Sequence, residues 1–240
     1  MCALAVVAIP VAALAADPAS ISAPTFKVGD SWVLDETTQK GAEGFSRQRV
    51  QQVVDRVGSD DLLLGVKPDG SPRAFEDHKV GLDLSLKLMI NDVETVTVRP
   101  LSFPLKVGDS WSADWTDPRQ QGAQTSGHFH KTYKVVGWED VTVAAGVFHA
   151  LKIEAKGVAD AQISLPASAG SAVVAAPGSA TTVAHTQAAR KGTVHFTTFD
   201  TIYYVPEVKY FVKTIEEQYN ASDVLARRDT AELVSFKPGS

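Results

Sequence analysis

Two histidines, His128 and His130, have the spacing most suggestive of chemistry, because they lie two residues apart in a segment predicted to be a strand. Side chains alternate between the faces of a strand, so both rings project the same way and could begin a zinc or copper site. Further ligands such as His149 and His195 could join only through folding, and no spacing indicates that they do. We therefore favour solvated surface histidines and predict no metal site.

Nucleophilic and acid–base catalysis have no better candidates. The sequence has no Gly-x-Ser-x-Gly elbow, and its Gly-Asp-Ser triplets at 29–31 and 108–110 are explained by turn formation. Adjacent carboxylates such as Asp60 and Asp61 would point to opposite faces of a strand. Phosphate-loop, dinucleotide and metalloprotease motifs are also absent from the sequence. We predict no catalytic residue and no cofactor, and an uncharacterised hydrolase is only the third hypothesis.

Aromatic residues give the remaining candidates for a site. Trp115, Trp138, Tyr203 and Tyr204 could line a groove for an apolar or amphipathic ligand, because aromatic faces offer contact area at low entropic cost. Trp32 and Trp111 occupy equivalent positions of a repeated motif, and we predict that both belong to the core.

That repeat is the most informative feature of the chain. Residues 26–32, FKVGDSW, return as LKVGDSW at residues 105–111. A Gly-Asp pair favours a tight turn, and the Trp that follows begins an apolar alternation typical of a strand. The repeat therefore predicts two related β modules, at about residues 24–100 and 101–236.

Strands are predicted throughout both modules. Residues 46–57 also fit helical spacing, but their counterpart, 128–138, is rich in β-branched and aromatic residues, so we favour strand for both. Residues 139–154 read as a hairpin centred on Gly146. The other predicted strands are 62–66, 201–206, 208–217 and 231–236. The expected fold is mainly β: a curved antiparallel sheet, a pair of sheets or a half-barrel, with little helix.

One segment, residues 159–192, interrupts this pattern with Ala, Ser, Gly and Thr. Such a composition buries too little apolar surface to offset the entropy of ordering its backbone, roughly 1–2 kcal/mol per residue. We predict a mobile hairpin loop here, with a lid over a cavity as the functional alternative.

Three motifs together resemble a known group of proteins. A KVGDSW turn at 106–111, a VTV-x-AG-x-F-x-A-x-KI hairpin at 141–153 and a YY-x-P strand leading to Val-Lys within 203–213 are similar to TapB-like and related domain-of-unknown-function proteins of the bacterial periplasm. The resemblance implies a curved antiparallel sheet akin to the half-barrels that carry lipoproteins between membranes. It implies no reaction and no catalytic residue. The sequence departs from the pattern at 207–209, where Glu-Val-Lys replaces a Pro-Gly-Val-Gly-like turn.

The N-terminus predicts export. Residues 3–16 are apolar apart from the proline break, are shorter than the roughly 20 residues of a membrane span, and end in an Ala-Leu-Ala pattern. We interpret residues 1–15 as a signal peptide, with a retained membrane anchor as the alternative. Removing it also removes Cys2, the single cysteine, so the mature domain from residue 16 to 240 would hold no disulfide or thiolate. The expected location is the periplasm or outside the cell, with no transmembrane segment after cleavage.

Composition narrows the possible partners. The formal charge of −5 is spread without a clustered basic face, which argues against nucleic acid as a partner.

Two hypotheses on function rank ahead of the hydrolase. The first is a non-enzymatic envelope protein whose curved sheet binds an apolar or amphipathic ligand, such as a lipid or a lipoprotein acyl chain. The second is an assembly factor that docks an envelope protein through an edge strand or the 159–192 segment.

Overall fold

A computed structural model describes residues 17–41, 44–118, 124–176 and 179–240, with the backbone alone at 124 and within 168–187. The predicted signal peptide and Cys2 lie outside these residues. No α-helix occurs in the described residues, and none of them forms a helix long and apolar enough to cross a membrane. The fourteen strands are β1 (Ser31–Lys40), β2 (Gly44–Val57), β3 (Asp61–Pro68), β4 (Glu76–Gly81), β5 (Leu86–Ile90), β6 (Val93–Val98), β7 (Ser110–Asp117), β8 (Gln124–Val143), β9 (Gly146–Leu165), β10 (Ser168–Ala176), β11 (Ser179–Gln187), β12 (Arg190–Val205), β13 (Tyr210–Asn220) and β14 (Leu225–Lys237).

Twelve strands form one antiparallel sheet, in the order β6-β5-β4-β3-β2-β1-β14-β13-β12-β9-β8-β7. The first half, β6 to β1, is a meander of six strands that are consecutive in the chain. The second half, β14 to β7, follows the same pattern except that the β10–β11 hairpin lies in the chain between β9 and β12. The two halves join where β1 pairs with β14. The sheet curves until its edges approach each other: Trp111, on β7, donates its indole N–H to the carbonyl of Arg99, just after β6, at 2.9 Å. The expectation of a mainly β fold with a curved antiparallel sheet is confirmed.

The two copies of the Gly-Asp-Ser-Trp motif form the same turn. In the first copy the Gly29 N–H donates to the carbonyl of Val54 at 2.8 Å, and the Val54 N–H donates to the carbonyl of Asp30 at 2.8 Å. In the second, Gly108, Asp109 and Val135 repeat both bonds at 2.9 Å. Gly29 and Gly108 have φ of 88° and 93°, which a residue with a Cβ adopts only under strain. The glycines of the repeat thus place each Trp at the start of a strand.

The core fills the end of the sheet where β1 and β7 begin, called here the filled end. Trp32 is 1% exposed there and stacks on Tyr210 and Phe236, with ring centroids 4.9 and 5.8 Å away. The pairing of Ile21 with Leu105 brings the chain segments before β1 and before β7 together at this end. Burying each large apolar side chain contributes about 1.5–3 kcal/mol. The largest fully buried apolar residues are Trp32, Tyr133, Tyr204, Leu62, Leu101, Leu105, Leu151, Ile153 and Leu233.

Residues 159–192 were predicted as a hairpin loop; the described residues do form a hairpin, but they are strand for most of their length rather than loop. β9 continues to Leu165 and β12 begins at Arg190, and the two pair along this whole length. Beyond them β10 and β11 form a separate two-stranded hairpin. Its low apolar content does not prevent strand formation, because neighbouring strands satisfy the backbone hydrogen bonds, and small residues such as Ala159 and Ala161 are buried at 3% exposure.

Candidate functional site: a cavity on the concave face

Small residues on β9 leave the other end of the sheet unfilled. Alternate residues of this strand face the concave side, and after Leu151 and Ile153 they become Ala155, Gly157 and Ala159. A Cβ at Gly157 would lie 2.6 Å from the Thr198 hydroxyl oxygen and 3.0 Å from the carbonyl oxygen of His130. This end of the sheet, where β1 and β7 finish, is called the open end. It carries the β9–β12 ladder that continues into the β10–β11 hairpin.

The open end encloses a cavity of about 840 Å³ on the concave face. That volume falls within the range of roughly 300–1,000 Å³ typical of small-molecule sites. One wall of the cavity is apolar and is formed mainly by β5 to β9. Its members are Leu84, Leu86, Val98, Pro100, Trp115, Phe129 and Ala159.

The adjoining wall is more polar and contains a buried ion pair. The Lys131 ammonium, on β8, lies 2.7 Å from the Asp200 carboxylate on β12 and 3.7 Å from the Glu216 carboxylate on β13. Lys131 reaches Asp200 across β9 because Gly157, its neighbour in the sheet, has no side chain. Thr198 lies next to Gly157 on β12. Lys131, Thr198, Asp200 and Glu216 are called here the polar cluster.

Two oxygens of the polar cluster are buried without a hydrogen-bond partner. They are Oγ1 of Thr198 and Oδ1 of Asp200, in residues that are 8% and 9% exposed. An unsatisfied buried polar atom costs roughly 1–3 kcal/mol, so such atoms are seldom left without purpose. Burial raises the pKa of Asp200 to about 6, with Lys131 opposing the rise and Glu216 adding to it. The cluster therefore places a desolvated acceptor without a partner in the lining of the cavity.

The pKa of the Asp200 carboxyl, in the cavity, should differ strongly from that of Asp35 on the outer face. We expect a midpoint near pH 6 for Asp200, and one near 2 for Asp35, whose carboxylate accepts hydrogen bonds from Arg49 and Arg47. Carboxyl ¹³C NMR of the labelled protein, with Asp200→Asn and Asp35→Asn for assignment, measures both. A midpoint below 4 for Asp200 would mean that the carboxyl is hydrated rather than buried.

Only one of the aromatic candidates from the sequence lies in the cavity. Trp115 lines it and stacks on Phe129 at a centroid distance of 5.1 Å. Trp138 stacks on His149 at 5.2 Å, and Tyr203 and Tyr204 are buried at 9% and 0% exposure, so these three are not part of the cavity lining. Of the two repeat tryptophans, Trp32 is fully buried as predicted, whereas Trp111 packs at the edge of the core and is partly exposed.

The predicted histidine pair lies on the outer, convex face. His130 and His128 contact Asp114 and Thr116 on β7, each through Nδ1 at 3.2 Å. His195, on β12, contacts Asp160 on the neighbouring β9 at 2.5 Å. No group of three or more His, Cys, Asp or Glu side chains in the described part of the chain has a geometry that could hold a metal ion.

Comparison with known proteins gives distant structural likenesses. No family model matches the chain, and no curated protein matches it significantly. A proposed lipoprotein from Parabacteroides distasonis is 14% identical with a TM-score of 0.48, covering 90% of this chain and 99% of its own. A protein with YmcC-like fold from Bacteroides fragilis is 10% identical, with a TM-score of 0.38 and 91% and 99% coverage. The hypothetical lipoprotein YmcC of Escherichia coli is 11% identical, with a TM-score of 0.31 and 87% and 85% coverage. The resemblance to TapB-like proteins stays a prediction.

Proposed function

We propose that this protein is a non-enzymatic, exported component of the bacterial cell envelope that carries a small amphipathic ligand in the cavity. The observation that carries the proposal is the presence in one cavity of an apolar wall around Trp115 and Phe129 and an adjoining, more polar wall around Lys131 and Asp200. A ligand with an apolar body and a polar head would satisfy both walls at once. Export is supported by the apolar N-terminal segment and its Ala-Leu-Ala ending.

The positions of the serines and of the ionisable residues support binding rather than catalysis. Ser31 and Ser110, the serines of the repeated motif, begin strands at the filled end, away from the cavity. The ionisable groups of the polar cluster contact one another instead of a hydroxyl or thiol nucleophile. An activated nucleophile requires such a contact with a base.

Native mass spectrometry of the protein, expressed with its N-terminal segment and purified from the periplasm without detergent, tests the proposal. We expect a mass excess that disappears on denaturation. Ala159→Phe fills the cavity and should abolish the excess, whereas Lys156→Phe puts the same ring on the outer face of β9 and should leave it unchanged. Circular dichroism checks that both variants fold. A bare mass for the unmodified protein, or an excess that survives Ala159→Phe, contradicts carriage in this cavity.

A second candidate function is docking of an envelope protein. β6 and β7 end the strand order of the twelve-stranded sheet, so each presents one edge without a ladder partner among the described strands. Unpaired edges accept an added strand from another chain. Crosslinking in cells from β6, compared with crosslinking from the paired outer face of β14, distinguishes this role. The absence of an adduct specific to β6 counts against it.

A further inference from the structure

We propose that the head of the ligand is a protonated amine, held by Asp200, Glu216 and Thr198 and not by Lys131. This inference rests on the proposed function and adds the chemical class of the ligand. It starts from the two unpartnered oxygens of the polar cluster, Thr198 Oγ1 and Asp200 Oδ1, in residues more than nine-tenths buried that line the cavity. A carboxylate oxygen only accepts hydrogen bonds, so the missing partner must be a donor.

The cationic side chains of the cavity lining are each paired with a carboxylate. Lys131 lies between Asp200 and Glu216, at 2.7 and 3.7 Å. Arg227 donates to Asp229 through Nε and Nη2 at 2.5 and 3.0 Å. An anionic head that contacted either cation would lie close to the carboxylate paired with it and would be repelled by that charge.

The balance of charge also favours a cation. The cavity lining contains the carboxylates of Glu36, Asp200, Glu216 and Asp229, opposed by the cations of Lys131 and Arg227. Glu36 accepts its hydrogen bond from the neutral amide of Gln48 at 2.9 Å. Negative charge is therefore in excess, and like charges repel strongly where little water screens them. A fatty acid head would add to the excess, whereas an ammonium group would reduce it.

The geometry of the cluster suits a primary amine. An ammonium group has three donors, and the cluster offers Asp200 Oδ1, Thr198 Oγ1 and the partly exposed carboxylate of Glu216 on three adjacent positions of β12 and β13. Asp200 pairs directly with Glu216 in the sheet, and Thr198 is two residues away on the same face. The apolar tail would then extend over Phe129 and Trp115.

Three probes with the same twelve-carbon tail test the inference: dodecylamine, dodecanol and dodecanoic acid, titrated calorimetrically below their micellar concentrations at neutral pH. We expect the amine to bind at least tenfold more tightly than the acid, with the alcohol between them. Glu216→Gln should weaken amine binding at least fivefold and narrow the gap to the acid. Glu232→Gln removes the same charge from the outer face, where Glu232 pairs with Lys213 at 2.7 Å, and should leave the order unchanged.

Each other outcome overturns the inference in a distinguishable way. If the acid binds most tightly, the choice of head is wrong while the proposed carriage of an amphipathic ligand stands. If Glu232→Gln weakens amine binding as much as Glu216→Gln does, the amine binds to the general negative charge of the protein and not to the cluster. If none of the probes binds, the proposed function fails together with the inference.

Discussion

Replacing Trp32 with Ala is expected to lower the free energy of unfolding by about 4 kcal/mol, the middle of the range for a buried tryptophan. Trp32 is 1% exposed, stacks between Tyr210 and Phe236, and donates its indole N–H to the carbonyl of Val208 at 2.9 Å. The truncation therefore leaves a large cavity and an unpaired carbonyl in the middle of the core.

Trp111→Ala is the matched control, because Trp111 occupies the equivalent position of the repeated motif. It also donates to a backbone carbonyl, that of Arg99, and it stacks on Tyr133 at 5.4 Å, but one side of it is exposed. We expect a loss of about 2 kcal/mol, since less area and less packing are removed. Urea denaturation followed by far-ultraviolet circular dichroism measures both variants. Equal losses would show that the two copies of the motif contribute alike and that the difference in burial has no energetic consequence.

Alternation and turn chemistry were sufficient to predict most of the fold. Residues 46–57 fit a helix as well as a strand, and the comparison with 128–138 correctly favoured strand, as β2 and β8 show. The hairpin centred on Gly146 is also confirmed, with Val143 pairing with Gly146 across the turn between β8 and β9. These features are local, and a sequence records local preferences directly.

Residues 159–192 were predicted as loop instead of strand because their composition does not show which strands pair with them. Alanine and glycine have little apolar surface to bury, so they suggested a loop. Here Ala159 and Ala161 lie on β9, which is flanked on both sides, and the small side chain of Ala159 leaves room for the cavity. The alternation of Ala155, Gly157, Ala159 and Ala161 was the signal in the sequence, and it becomes informative once the strand and its concave face are known.

The polar cluster could not be found from sequence for a different reason. Lys131 and Asp200 are 69 positions apart, and the register of β8, β9 and β12 alone brings them together. Each also has an ordinary appearance in the sequence, as a charged residue in an alternating strand. Trp115 was proposed from its residue type, but its role depends on Phe129, which the same register places beside it.

The buried Asp200 carboxylate lowers the free energy of unfolding at neutral pH. This loss of stability is an argument that the polar cluster binds a ligand. The folded protein retains the Asp200 proton to about pH 6, against an ordinary value of 3.8. A pKa raised by folding means that the stabilising contribution is complete below about pH 4 and is lost as the pH rises through 6. At pH 7 the ionised carboxylate thus makes the protein about 3 kcal/mol less stable than an uncharged group would. Costs of this kind are characteristic of binding sites.

Lys131→Met combined with Asp200→Leu is accordingly expected to raise the free energy of unfolding at pH 7 by about 2 kcal/mol, because apolar groups of similar volume replace a desolvated pair. Lys131→Met alone should lower it by about 1 kcal/mol: Asp200 loses its nearest cation, at 2.7 Å, but can take up a proton instead of remaining charged. Urea denaturation at pH 4 and 7 measures both effects, and the gain of the double variant should shrink at pH 4, where the wild-type carboxyl is already protonated. The same double variant should lose the bound mass seen in native spectrometry. If it is instead less stable than the wild type at pH 7, the pair stabilises the fold, and its burial needs no ligand to explain it.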